Sequence, residues 1–342
     1  MLDDLKFIHD KDSQDALGVV EKQWQQLEHE FEFEAAPKGP IDNVVWGGMG
    51  GSAIPAQLSL SWPGHDKPFE ICRNYDIPRY VGPNTLFVAS SYSGNTEETL
   101  SALSQAEEKD AQIVVVAAGG KLADRAREAG HPLAVIPGGI QPRMTTLYFI
   151  KFMATMFEKM GLATGLRDQL TAASAVLKDV TPAWRADVPT AQNPAKQLAQ
   201  ELMGKSVVAY GGPKMMPVAN KFKIAMNENA KNIAWWNQLP EFSHNEMIGW
   251  SSHPTDKPYG VVDIRSNLEH ERVQKRFVVT ERLLSGMRPA PHVVEPKGET
   301  LLDQLLWGLA FCDFTSLYVA MLNGIDPTPV DLVEKFKAEL NK

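Results

Sequence analysis

The sequence predicts an α/β protein whose doubly wound parallel sheets fall into two domains, and three observations carry that prediction. Short apolar runs rich in β-branched residues recur without polar alternation, and Ile113-Val114-Val115-Val116-Ala117 is the clearest of them. Such runs belong to strands buried on both faces, as in parallel sheets. Helical patterns at 53–61, 96–109 and 121–129 separate the runs, the alternation of a doubly wound sheet. A strand followed by paired glycines occurs twice, as Asn43-Val44-Val45-Trp46-Gly47-Gly48 and as Ser206-Val207-Val208-Ala209-Tyr210-Gly211-Gly212. This reads as a weak internal duplication of one unit.

Taken in order, residues 13–33 read as an amphipathic helix, with Ala16, Val19, Val20, Trp24 and Leu27 at helical spacing and Ser13 as N-cap. Strands are expected at 43–46, 69–73, 85–89, 113–117 and 133–136, followed by a long helix at 145–160. Polar helical sequence containing Pro182 and Pro189 then marks a boundary, giving domains 1–182 and 183–342. The second domain restarts with a strand at 206–210 and a helix at 218–229. Further strands are expected at 259–264, 276–280 and 292–295, and closing helices at 301–323 and 330–340.

Composition excludes several classes. The 342 residues suffice for two cores, with 44% hydrophobic and 22% charged residues. A net charge of -8, from 34 basic and 42 acidic residues, offers no broad basic face for nucleic acid. Cys72 and Cys312 lie in no CxxC or metal-ligand spacing, so both read as buried reduced thiols. The polar, acidic start MLDDLKFIHDKDSQ is not a secretory signal. No apolar run is read as approaching the roughly 20 residues of a membrane helix. A cytoplasmic protein with no membrane partner is the expectation.

Two loops suggest an anion site. Gly47-Gly48-Met49-Gly50-Gly51-Ser52 lies between a strand and a helix, where glycines admit close backbone approach and a helix N-terminus offers free N–H groups. Gly48, Gly50 and Ala53, with Glu70 downstream, also fit a loose dinucleotide fingerprint. Ser90-Ser91-Tyr92-Ser93-Gly94-Asn95-Thr96 opens the next helix with four hydroxyls, the donors a phosphate monoester wants. Taken alone, this loop reads first as an ordinary cap led by Ser93 or Asn95. Two such loops at neighbouring strand ends favour an anion.

Three further segments hold reactive side chains. Arg143, in Gln141-Pro142-Arg143, follows the fifth strand and could stabilise a developing anion; a plain surface arginine is the alternative. Glu228 lies four residues after Ile224 on a partly apolar helix face. A desolvated carboxylate there suits a general base, and a solvated helix charge is the alternative. His244 sits in the polar loop Pro240-Glu241-Phe242-Ser243-His244-Asn245-Glu246, placed for proton transfer or simply exposed. Its spacing to other ligands fits no zinc motif, so neither metal nor cofactor is expected.

Gly-Gly-Ser ending at Ser52 and Ser91-Tyr92-Ser93-Gly94-Asn95-Thr96 resemble the sugar isomerase (SIS) domain. Gln141-Pro142-Arg143, Asn227-Glu228-Asn229-Ala230-Lys231 and the Pro240–Glu246 segment together resemble the bifunctional phosphoglucose/phosphomannose isomerases, over nearly the whole chain from about Asp42. The resemblance implies two flavodoxin-like SIS domains and interconversion of glucose 6-phosphate and mannose 6-phosphate with fructose 6-phosphate. It implies phosphate contacts from Gly51, Ser52, Ser91, Ser93 and Thr96. It implies Glu228 as the base, Arg143 beside the enediolate, and His244 as ring opener across a homodimer interface. A lysine of the closing helix is also implied; Lys337, nearer the apolar face of Val333, Phe336 and Leu340, is preferred to Lys335. Thr328 resembles a pocket threonine associated with mannose 6-phosphate. Residues 249–257 match no motif and receive no role. Another SIS isomerase, acting on an aminosugar or arabinose phosphate, and a non-catalytic sugar-phosphate sensor are the alternatives.

Overall fold

The computed structural model describes residues 1–252 and 258–340; residues 253–257, most of the segment without an expected role, lie outside them. In chain order the first elements are α1 (Leu5–Lys11), α2 (Ala16–Glu21), β1 (Asn43–Gly48), α3 (Ile54–Ser59), β2 (Phe69–Cys72), β3 (Thr85–Ser90) and α4 (Glu97–Glu108). Next come β4 (Gln112–Ala117), α5 (Gly120–Ala129), β5 (Leu133–Val135), α6 (Thr146–Lys159), α7 (Leu166–Val180), α8 (Pro194–Leu202), β6 (Ser206–Gly211) and α9 (Met216–Glu228). The last are β7 (Ala234–Gln238), α10 (Glu246–Gly249), β8 (Tyr259–Ile264), α11 (Glu271–Leu283), β9 (His292–Val294), α12 (Leu301–Leu322) and α13 (Asp331–Leu340).

The chain divides into two compact units, Lys22–Lys178 and Met1–Glu21 with Asp179–Lys342. The leading segment thus belongs with the second sheet, where the sequence reading placed it with the first. The first unit holds a five-stranded sheet of order β2-β1-β3-β4-β5. Every pairing is parallel, with Val45 level with Glu70 and Phe87 and Val88 level with Val114. β3 and β4 are buried along their whole length, which is why their sequences carry no polar alternation. One face packs Val45, Phe87 and Val115 against Leu103 of α4 and Leu122 and Ala126 of α5. The second unit holds a parallel sheet of order β7-β6-β8-β9. β6 stands where β1 stands and β8 where β3 stands, so the duplicated Gly-Gly turn recurs at the same place in both sheets.

Several expectations change. Residues 276–280 lie within α11 and not in a strand, because Val273, Phe277 and Thr280 recur at helical spacing and are its buried residues. β7, an edge strand reading Ala-Trp-Trp-Asn-Gln and mostly half-exposed, was not expected. The helix expected at 13–33 breaks after Glu21 into a 3-10 turn and then extended chain. At the start of α2 the Asp12 carboxylate accepts from Ala16 N and Leu17 N and Asp15 accepts from Gly18 N, whereas Ser13 Oγ donates to Asp326. α12 overturns the reading that no run approaches membrane length: its 22 residues qualify by length and composition, yet it is almost wholly buried as a core helix. Both cysteines are free and buried.

Candidate active site

In the first unit the parallel strands bring four connections to one edge of the sheet. The turn after β1 is bound to the loop after β3: Trp46 Nε1 and Ser90 Oγ both donate to Ser52 O at 3.0 Å, and Tyr92 N donates to Ser52 Oγ at 3.2 Å. Within the β3 loop, Gly94 N donates to Ser91 Oγ at 3.1 Å, Ser91 Oγ and Thr96 Oγ1 share a bond of 2.8 Å, and Asn95 N donates to Ser93 Oγ at 3.2 Å. Thr96 occupies the N-cap position of α4, but no side chain caps that helix. The hydroxyls are therefore not spent as an ordinary cap, and the positive end of α4 faces the loop. Gly94 has φ +68°, and a Cβ there would lie 1.7 Å from Gly119 O, so only glycine lets the β3 and β4 loops meet.

The fourth connection is the 3-10 turn Pro142–Met144. A Cβ on Gly51 would stand 3.4 Å from Pro142 O and 3.5 Å from Arg143 Cα. The glycine turn and the arginine turn therefore pack directly together. Arg143 is fully buried, and its Nη1 donates to Gln141 Oε1 at 3.3 Å. Ser52 and Ser91 are buried, Gly51 and Thr96 half-buried, and Ser93 exposed. The structure thus gathers Gly51, Ser52, Ser91, Ser93, Thr96 and Arg143. Tyr92, which the sequence reading passed over, joins the set: its hydroxyl donates to Pro137 O and accepts from Ile140 N, and burial raises its pKa. Glu70 lies in the middle of β2 and accepts from Tyr80 at 2.6 Å. That is no place for the strand-end acid a dinucleotide needs.

In the second unit Glu228 is the last residue of α9 and is half-buried. The next residue fixes that helix end, since Asn229 Nδ2 donates to Ser316 Oγ of α12 at 2.9 Å in the core. Lys231 Nζ donates to Glu228 O at 2.9 Å and to Pro327 O at 2.7 Å. The carbonyls of Glu228 and of Pro327, the residue before Thr328, thereby meet on one ammonium. Thr328 is buried, and its N–H donates to Asp326 Oδ1 at 2.8 Å.

His244 ends a 3-10 turn, Glu241–His244, and is exposed. The turn is held from beneath. Phe242 is buried against Tyr210, with ring centroids 4.8 Å apart, and Arg288 lies 5.5 Å and 5.8 Å from the Tyr210 and Phe242 rings. Glu246 accepts from Asn237 Nδ2 at 2.6 Å and from the Tyr210 hydroxyl. Burial pushes the Tyr210 phenol well up, and it also pushes the Asp263 carboxyl up against the pull of Arg288 and Arg265. The sequence showed His244 but none of this support, because Tyr210, Arg288 and Asp263 come from distant elements. Lys335 and Lys337 are both exposed on α13, and Lys337 Nζ lies 2.8 Å from Glu334 Oε1. Val333, Phe336 and Leu340 are themselves exposed, so the apolar face that favoured Lys337 does not select between the two. Among the described residues no group of three His, Cys, Asp or Glu could hold a metal.

Parallel sheets of this order, with a glycine turn and a hydroxyl loop at one edge, define a protein of the SIS phosphosugar-isomerase class. The profile described as the bacterial phospho-glucose isomerase C-terminal SIS domain matches residues 191–340. The bifunctional phosphoglucose/phosphomannose isomerase of Caldicellulosiruptor bescii is 34% identical, over 88% of this chain and 90% of its own. A D-glucosamine-6-phosphate 4-epimerase of Sulfolobus acidocaldarius is 31% identical over 62% of this chain and 65% of its own. A glucose-6-phosphate isomerase like protein from Thermus thermophilus shares the fold, with a TM-score of 0.67 over 98% of both chains at 17% identity. The chain belongs to the bifunctional phosphoglucose/phosphomannose isomerase family and is an isomerase.

Proposed function

We propose that the protein interconverts glucose 6-phosphate and mannose 6-phosphate with fructose 6-phosphate through a cis-enediol, without a metal. Ser52, Ser91, Ser93, Thr96 and the backbone at Gly51 hold the phosphate. His244 acts from a second copy of the chain in a homodimer and, helped by Lys337 or Lys335, opens the pyranose ring. Glu228 takes the proton from C2, the C–H electron pair becomes the C1–C2 double bond, and the C1 oxygen gains a proton. Arg143 stabilises the negative charge that develops on the oxygens. Glu228 then returns its proton to C1 while the C2 hydroxyl loses one and becomes the ketose carbonyl. Glucose and mannose 6-phosphates differ only at C2, so one base that meets either face serves both.

The hydroxyl edge of the first unit carries this reading, since Ser91 and Thr96 bond each other and leave α4 uncapped. Its test is Glu228→Gln, which keeps shape and removes the base. Turnover should fall by about 10²–10⁴, while a phosphorylated competitive inhibitor still binds. Substrate deuterated at C2 should pass part of its label to C1 in the unaltered enzyme. A variant that keeps its turnover moves the base elsewhere. The similarity to a 4-epimerase favours one second reading, an aminosugar phosphate as substrate. Turnover of glucosamine 6-phosphate, with none on the hexose phosphates, would select it.

A further inference from the structure

We infer that Lys231 is a positioning residue that sets the choice between the two C2 epimers, by tying the Glu228 end of α9 to the segment that carries Thr328. The inference rests on the reading that Glu228 and Thr328 serve one site. A helix ends with backbone carbonyls that have no partner inside it. Here Lys231 Nζ reaches Glu228 O at 2.9 Å and Asn229 O at 3.5 Å, so its charge answers the negative end of α9. The same ammonium reaches Pro327 O at 2.7 Å, from the residue before Thr328. One cation therefore joins two backbone segments far apart in sequence, each beside a side chain that faces the substrate in the proposed reaction.

The surroundings separate this role from general scaffolding. The end of α9 is already fixed to α12 by Asn229 on Ser316 and by Asn323 Nδ2 on Ala230 O at 3.3 Å. On the other side Asp326 holds Thr328 N at 2.8 Å and takes Ser13 Oγ. Both segments thus keep their own anchors without Lys231, and Lys231 joins the two. Its backbone stands at φ +49°, a left-handed position that normally favours glycine or asparagine and costs a lysine about 1 kcal/mol or more. A lysine there points to a use for the side chain. Without it, the spacing between the base and the threonine relaxes. A displacement of about 1 Å at a reacting centre costs about 10²-fold in rate, and it acts unequally on two substrates that differ only at the carbon attacked. Phosphate binding, made elsewhere, is not touched.

The test uses the purified full chain carrying Lys231→Met, which keeps length and removes the donors, and Lys231→Arg, which restores a cation. For each, kcat and KM are measured on both epimers, with inorganic phosphate as competitive inhibitor and Tm as the measure of folding. Lys231→Met should lower kcat about tenfold, change the ratio of kcat/KM between the epimers about threefold or more, and leave phosphate inhibition unchanged. Lys231→Arg should recover most of the ratio. Thr328→Ala added to Lys231→Met should change the ratio by less than the product of the single effects. An unchanged ratio in Lys231→Met, including an equal fall on both epimers, overturns the inference. Glu228→Gln assayed alongside separates the failures. Full activity there removes the base on which the inference rests, whereas an inactive Glu228→Gln with an unchanged ratio in Lys231→Met overturns the clamp alone.

Discussion

At the edge of the first sheet the glycine turn after β1 meets a loop of hydroxyls after β3; at the same edge of the second, the glycine turn after β6 meets a carboxylate. Glu269, in the loop after β8 and 5% exposed, accepts from Lys214 N at 2.8 Å and from Met215 N at 3.1 Å. Those amides lead into α9 as the amides around Ser52 lead into α3. Gly212 fits the arrangement, because a Cβ there would lie 2.4 Å from Glu269 Oε1. Burial raises the Glu269 carboxyl against the two amide bonds and Lys214. The duplicated unit therefore ties down its glycine turn in two ways: in one copy the hydroxyl of Ser90 donates to the turn's carbonyl at Ser52, and in the other the Glu269 carboxylate accepts from the turn's amides. A fold repeat does not imply a repeated ligand site, since the side chain opposite the donors decides whether an outside anion can use them.

The largest expected effect asks whether the first edge depends on its close loop contact. Gly94→Ala should destabilise the protein by about 3 kcal/mol or more, because the new methyl must displace the Gly119 carbonyl at a left-handed position. The corresponding reading is a large drop in Tm and loss of activity together. A variant with unaltered Tm would mean that the two loops are free to part. Next in size, Ser93→Ala with Thr96→Ala should raise KM about tenfold or more and change kcat less. An unaltered KM would place the phosphate site away from this edge.

Glu269→Ala tests the other side of the comparison. It removes the partner of two amides, which costs about 1–3 kcal/mol, and should lower Tm while KM for the hexose phosphates stays within about twofold. A large rise in KM would show that the second edge also binds substrate. The smallest effect concerns pH and the first unit alone. His65 is half-buried, stacked on Phe69 with centroids 4.0 Å apart, and burial lowers its pKa from 6.5 to about 4. The unfolded chain takes up this proton first, so the contribution is complete above about pH 6.5 and is lost as pH falls toward 4. His65→Phe should flatten the fall of Tm over that window. An unchanged slope would assign the acid sensitivity to other groups.

Much of the first unit was legible because its signals are local. β3 and β4 are buried on both faces and so had to be continuous apolar runs, and the hydroxyls of 90–96 had to follow a strand end for the helix to start there. β7 was not legible, since an edge strand reading Ala-Trp-Trp-Asn-Gln carries neither alternation nor a full apolar run. The run around Phe277 and Val278 looked like a strand because three adjacent apolar residues fit either period; its burial at every third or fourth residue settled the matter only once α11 packed on the sheet.

The sequence by itself determined the parallel architecture, the duplication, the hydroxyl loop and the family motifs, because each depends on neighbours within a few residues. Only the tertiary structure decided that the Arg143 turn packs on Gly51, that Tyr92 N donates to Ser52, and that Arg288 and Tyr210 support the turn ending at His244. It also decided that Glu269 answers the second glycine turn and that Lys231 joins Glu228 to Pro327. These pairings bring together groups far apart in the chain, and burial, charge and hydrogen-bond geometry act through space once the sheets have set the distances.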